Sequence, residues 1–162
     1  MKPQLKILLL EDNPDDVALE THELKKLGQA FTVQHVETEA DFSDSLKAGA
    51  PDIILADFSL PQYDGMSALA CARKRRPNVP FVFVSGTIGE EVAIEALQQG
   101  ATDYVIKQRL HRLVPAVQRA LREAEESRLY RKAQAALAKS QHRLESVINF
   151  SPTMIYMTDD QG

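Results

Sequence analysis

Five short apolar runs alternate with segments of helical character over the first two thirds of the chain. Most of these runs are continuously apolar, which is typical of parallel strands that helices cover on both faces. The pattern predicts strands at 5–10, 31–36, 52–56, 80–84 and 103–106, and helices at 14–27, 39–47, 64–76 and 90–99. Strand and helix in alternation predict an α/β fold with a doubly wound, five-stranded parallel sheet.

The last third of the chain has a different pattern. From Leu110 to about Asn149 there is no glycine and a single proline, Pro115, and strong helix formers dominate. The segment predicts one extended helix of about 35–40 residues, roughly 50–60 Å long. Its first turns should pack on the sheet, and beyond Arg122 it should leave the domain.

Small apolar residues recur along this helix at alternating spacings of three and four. The spacing is kept by two groups that are one residue out of phase: Leu110, Leu113, Val117, Ala120 and Ala124, then Tyr130, Ala133, Leu137, Ser140, Leu144 and Val147. Such a seam favours pairing with a second helix, although the shift of phase makes it weak. We expect a parallel homodimer through this helix; a solvated single helix is the alternative.

Composition and charge narrow the class of protein. The chain has 162 residues, of which 44% are hydrophobic, and a single cysteine, Cys71, so it can form no internal disulfide. No signal peptide or membrane span is evident, and we expect a soluble cytoplasmic protein without membrane contact. The net charge of −4 divides into −7 over residues 1–108, +5 over residues 109–145 and −2 over residues 146–162. Because that positive charge is modest and no recognition-helix module follows it, we expect no direct binding to nucleic acid.

The candidate chemistry lies where the predicted strands end. Glu11 and Asp12 follow the first strand, Asp57 the third, Ser85 the fourth and Lys107 the fifth. In open α/β sheets the functional sites lie beyond the carboxyl ends of the strands, so these side chains should gather at one edge. Three neighbouring carboxylates repel one another unless a cation lies among them, and oxygen ligands of this kind suit Mg²⁺. A carboxylate beside Mg²⁺ can attack phosphorus and form an aspartyl phosphate.

Four motifs at these positions resemble those of the receiver domain of two-component signalling proteins. They are LLEDNPDD (9–16), ILADFSLPQYDG (54–65), VSGT (84–87) and DYVIK (103–107). The resemblance implies a flavodoxin-like sheet in the order 2-1-3-4-5 and phosphorylation on Asp57 by a histidine kinase or phosphotransfer protein.

The resemblance also implies roles for individual residues. Glu11, Asp12, Asp57 and the backbone carbonyl of Ser59 would bind Mg²⁺. Ser85 would be the switch hydroxyl, Tyr104 a switching aromatic residue, and Lys107 the partner of the phosphoryl charge. No enzymatic turnover of an external substrate is expected, only acceptance of the phosphoryl group and its later hydrolysis.

Three positions depart from the common receiver pattern. Glu11 stands where aspartate is commonest, which makes a longer metal ligand. Ser85 is a tolerated alternative to threonine. Gln108 stands where many receivers have proline, so the 107–110 loop is free to adopt another path.

Three regions are predicted: a receiver domain at 1–122, a signalling helix or coiled-coil linker at 123–147, and the start of a PAS-like domain at 148–162. Phosphorylation would control a sensory or output region beyond residue 162 through the long helix. One alternative is a pseudo-receiver that dimerises or binds partners without phosphate. The other is a Mg²⁺-dependent phosphatase or hydrolase on a similar sheet. Against it, Ser59 stands where such an enzyme usually has a second aspartate.

Overall fold

The computed structural model describes residues 3–86 and 88–150, the last three of these in their backbone alone. Its strands are β1 (Leu5–Leu10), β2 (Phe31–Val36), β3 (Ile53–Ala56), β4 (Phe81–Ser85) and β5 (Asp103–Ile106). Its α-helices are α1 (Pro14–Leu24), α2 (Glu39–Ala48), α3 (Gly65–Arg75), α4 (Glu90–Gln98) and α5 (Leu113–Phe150). The predicted alternation of strands and helices is confirmed, with ends that move by a few residues.

The five strands form one parallel sheet in the order β2-β1-β3-β4-β5, as the resemblance implied. Every side chain of β3 and β4 is buried, whereas in the edge strand β2 only Val36 is buried and the other five side chains are partly buried or exposed. The continuous apolar runs are therefore the inner strands, because only these are covered on both faces.

Two apolar layers lie on opposite faces of the sheet. Leu8 and Leu10 of β1 pack with α2, α3 and α4, and Ile7 and Leu9 pack with α1 and the first turns of α5. Successive residues of a strand point to opposite faces, so β1 supplies both layers.

Two helix ends differ from the predictions by three residues. The first helix ends at Leu24 and a 3₁₀ turn continues to Leu27 before Gly28, whose φ of 69° permits the reversal. The last helix begins at Leu113 rather than Leu110, because Lys107–Arg112 forms a 3₁₀ segment with a non-helical residue inside it. Pro115 falls in the first turn of α5, where a missing N–H breaks no helical hydrogen bond.

The chain divides into two compact units after Ala124. In the second unit the helix continues to Phe150, and every side chain from 125 to 147 is exposed. The predicted PAS-like segment at 148–162 lies outside the side chains that the structure describes. Among the described residues, no helix combines the length and the apolar character needed to cross a membrane.

Candidate functional site

The carboxyl ends of the inner strands bring the predicted chemical groups together. Leu10 pairs with Ala56, and the backbone N–H of Asp57 donates to the Leu10 carbonyl at 2.9 Å, so the residues after β1 and β3 are neighbours. Ser85, which ends β4, pairs with Ile106, and Lys107 follows directly. The parallel arrangement predicted this convergence, because all strands of such a sheet end at the same edge.

The Lys107 ammonium lies at the centre of the site. Its Nζ donates to Glu11 Oε2 at 2.8 Å, to Asp16 Oδ2 at 2.7 Å and to Asp57 Oδ2 at 2.9 Å. Burial by itself would lower the pKa of Lys107, but these hydrogen bonds outweigh burial and raise the pKa above its usual value. The side chain is therefore a cation held among carboxylates.

A candidate metal site is formed by Glu11, Asp12 and Asp57. Each offers a carboxylate oxygen, and the three oxygens lie within 4.8 Å of one another. Glu11 is fully buried, and this burial, with a smaller contribution from the Asp57 charge, raises the pKa of Glu11, while hydrogen bonds from Lys107 and the Asn13 N–H oppose the shift. Crowded carboxylates with one ammonium leave a surplus of negative charge, and hard oxygen ligands of this kind fit Mg²⁺.

The loop after β3 holds the Asp57 carboxylate in place. The N–H of Ser59 donates to Asp57 Oδ1 at 3.1 Å, so both carboxylate oxygens accept a hydrogen bond. Ser59 also forms an isolated bridge with Asp64, whose side chain caps α3 by accepting from the N–H groups of Met66 and Ser67. The predicted role of the Ser59 carbonyl as a metal ligand stays a prediction.

The two predicted switch residues differ in their surroundings. Ser85 is buried, and among the described residues its hydroxyl has no hydrogen-bond partner. Tyr104 lies on β5 and is 37% exposed. Their roles stay predictions, although a buried hydroxyl without a partner is a group that usually requires an explanation.

Sequence reasoning missed two acidic residues of α1. Asp16 lies in the first turn of α1, and its carboxylate accepts a hydrogen bond from Lys107. Glu20 is 1% exposed, and neither of its carboxylate oxygens has a hydrogen-bond partner among the described residues. A spacing of four residues links Asp16 and Glu20 within α1, and this helical repeat was the available signal that the two share one face.

Comparisons with known proteins agree with this geometry. A family model described as the response regulator receiver domain matches residues 7–118. The regulatory protein LuxO of Vibrio vulnificus is 35% identical over 117 residues, which are 72% of this chain and 25% of LuxO. The chain thus spans about a quarter of the length of that relative.

Solved structures with the same fold include two receiver domains. A CheY-like receiver domain protein from Methanospirillum hungatei has a TM-score of 0.68 at 23% identity, covering 77% of this chain and 99% of that one. The receiver domain of a sensor histidine kinase from Pseudomonas aeruginosa has a TM-score of 0.63 at 29% identity, covering 74% and 98%. In that second structure a magnesium ion is coordinated in the active-site cleft.

Proposed function

This chain belongs to the response regulator receiver domain family, and from that premise we propose that it accepts a phosphoryl group on Asp57 in a Mg²⁺-dependent reaction. The observation that carries the proposal is the surroundings of the Asp57 carboxylate. It lies at the carboxyl ends of the strands, with the Lys107 ammonium 2.9 Å away and oxygens of Glu11 and Asp12 within 4.8 Å. The donor would be a histidine kinase or a phosphotransfer protein.

The arrangement supports phosphoryl transfer in the following way. An ionised Asp57 oxygen attacks phosphorus and a P–O bond forms, while the P–N bond of a phosphohistidine donor breaks. The bonding electron pair leaves on the imidazole nitrogen, which takes a proton from solvent. Lys107 would hold the phosphoryl oxygens by charge-assisted hydrogen bonds. Mg²⁺ bound by Glu11, Asp12, Asp57 and the Ser59 carbonyl would neutralise charge on the phosphoryl group. Water would later hydrolyse the acyl phosphate.

Incubation with Mg²⁺ and phosphoramidate, followed by intact mass measurement, tests this proposal. We expect one phosphoryl adduct on the wild-type chain, none on Asp57→Asn, and none with a chelator present. Asp44→Asn is the matched control, because Asp44 is an exposed aspartate on α2. An adduct that survives Asp57→Asn, or no adduct on the wild type, contradicts the proposal; the second result favours a phosphate-independent binding module.

Phosphorylation would act through Ser85 and Tyr104. The unpartnered Ser85 hydroxyl is a donor available to a phosphoryl oxygen, and its movement would let the Tyr104 ring turn inward. We expect Ser85→Ala to accept the phosphoryl group, but phosphorylation should no longer change the oligomeric state of this variant. An unchanged effect in Ser85→Ala would exclude the switch role.

We further propose that the chain dimerises through α5 and passes the signal along it to a sensory or output region. Supporting this, the apolar residues of the seam stay exposed in a single chain: Tyr130 is 66%, Leu137 57%, Leu144 60% and Val147 63% exposed. They recur at spacings of seven, seven and three residues, as in a helix that pairs with a copy of itself. A cytoplasmic location accords with the single unpaired cysteine, Cys71.

Analytical ultracentrifugation with and without beryllofluoride tests the dimer. Leu137→Lys places a charge in the seam and should shift the chain toward monomer. Ala135→Lys adds the same charge two residues earlier, on the opposite side of the helix, and should leave the dimer intact. Equal behaviour of the two variants would contradict pairing through this seam.

A further inference from the structure

The hydrogen-bonding capacity of the Lys107 ammonium is fully used. A lysine ammonium carries three N–H groups, and here each one donates to a different carboxylate, those of Glu11, Asp16 and Asp57. A phosphoryl group on Asp57 would bring further oxygens that need the same donors. One of the existing partners must then give up its hydrogen bond.

The three partners of Lys107 are not equivalent. Glu11 and Asp57 belong to the group whose oxygens lie within 4.8 Å of one another, so both are also directed toward the candidate metal site. Asp16 stands apart from that group, in the first turn of α1, with its side chain 25% exposed. Its distance to Nζ, 2.7 Å, is the shortest of the three.

We propose that Asp16 is a positioning residue that binds Lys107 in competition with the phosphoryl group and thereby weakens the phosphorylated state. This inference rests on the proposed function and deepens it, because it concerns how the same site is regulated. The Asp16 carboxylate neutralises part of the ammonium charge and occupies one of its donors. Any phosphoryl oxygen must share Lys107 with it.

The competition has a definite direction. Without the Asp16 charge, Lys107 is still held by Glu11 and Asp57, so its position is kept. An asparagine at position 16 can still accept a hydrogen bond through its amide oxygen, but a neutral acceptor binds an ammonium more weakly. Lys107 should then bind an anionic phosphoryl group more tightly in Asp16→Asn than in the wild type.

Binding of beryllofluoride with saturating Mg²⁺, followed by ¹⁹F NMR, measures this equilibrium directly. We expect Asp16→Asn to lower the dissociation constant for beryllofluoride about fivefold. This is the change in affinity that corresponds to the interaction free energy of one partly exposed ion pair. Asp15→Asn is the matched control, since Asp15 is the exposed neighbour in the same helical turn and the change removes the same charge. It should alter the constant by less than about twofold, because exposed charges are strongly screened.

A second comparison shows whether Asp16 acts through Lys107. In a Lys107→Gln background, Asp16→Asn should no longer tighten beryllofluoride binding; a purely structural role for Asp16 would not depend on Lys107 in this way. Equal effects of the two aspartate variants, no effect of Asp16→Asn, or an effect that persists without Lys107 would each overturn the inference. If the wild-type chain binds no beryllofluoride, the proposed function fails and this inference fails with it. If the wild type binds it and Asp16→Asn leaves the constant unchanged, only the inference is wrong.

Discussion

Replacing Glu20 by glutamine should remove a pH-dependent cost of folding. Glu20 lies on α1, where it is 1% exposed and its oxygens find no hydrogen-bond donor among the described residues. Burial, reinforced by the charge of Glu11 and more weakly by Asp16 and Asp57, raises the pKa of Glu20 to about 8, and Lys107 offsets only part of this. The side chain is therefore a neutral acid at pH 7.

The sign and size of the effect follow from linkage between protonation and folding. The carboxyl has a pKa near 4.5 when unfolded and about 8 when folded, so the folded state keeps a proton that the unfolded state has lost. The contribution of the Glu20 carboxyl to stability is fully present below its pKa in the unfolded state. That contribution is lost as the pH rises through its pKa in the folded state. Between about pH 5.5 and about pH 8, the free energy of unfolding should fall by roughly 3 kcal/mol, at about 1.4 kcal/mol per pH unit.

Urea unfolding followed by circular dichroism, at about pH 5.5 and about pH 8 in the presence of a chelator, measures this difference. Glu20→Gln keeps the shape of the side chain and cannot ionise, so the variant should gain roughly 3 kcal/mol relative to wild type on going to the higher pH. Glu91→Gln, at an exposed position on α4, should show no such gain. If the difference in free energy of unfolding between wild type and Glu20→Gln is the same at both pH values, Glu20 is solvated and its pKa is not raised by burial.

Three further changes test how the fold supports the site, each by the midpoint of urea unfolding. Gly65→Ala should lower the free energy of unfolding by about 2 kcal/mol, because a Cβ there would lie 2.8 Å from the Phe58 Cα, beside the phosphoacceptor. The control Gly49→Ala, which has open space around it, should leave the free energy unchanged, and equal losses in the two variants would show that the close contact has no effect. Asn13→Ala should cost about 1 kcal/mol by removing the cap of α1, and an unchanged midpoint would contradict that role. Arg73→Met should cost about 2 kcal/mol, since its guanidinium donates to three backbone carbonyl groups; a neutral result would show that water replaces these bonds.

The pattern of apolar residues predicted most of the fold because each signal is local. Continuous apolar runs identified the inner strands, and the glycine-free segment identified α5, with its first turn at Leu113 rather than Leu110. The misplaced helix start has a physical cause: the residues after Lys107 have good helix propensity, but the chain there turns through a 3₁₀ segment that contains Arg109 in a non-helical conformation. Propensity does not report such a turn, since tertiary packing overrides it.

The sequence by itself determined which groups meet at the site. Strands that are all parallel end at one edge, so Glu11, Asp57 and Lys107 had to converge once the strands were identified. Only the tertiary structure decided how α1 is rotated about its axis, because that rotation depends on how Val17 and Leu24 pack against the sheet. The rotation turns Asp16 toward Lys107 and buries Glu20. Because carboxylates are usually exposed, residue type alone would place both side chains in solvent, whereas packing brings Asp16 to the site and buries Glu20.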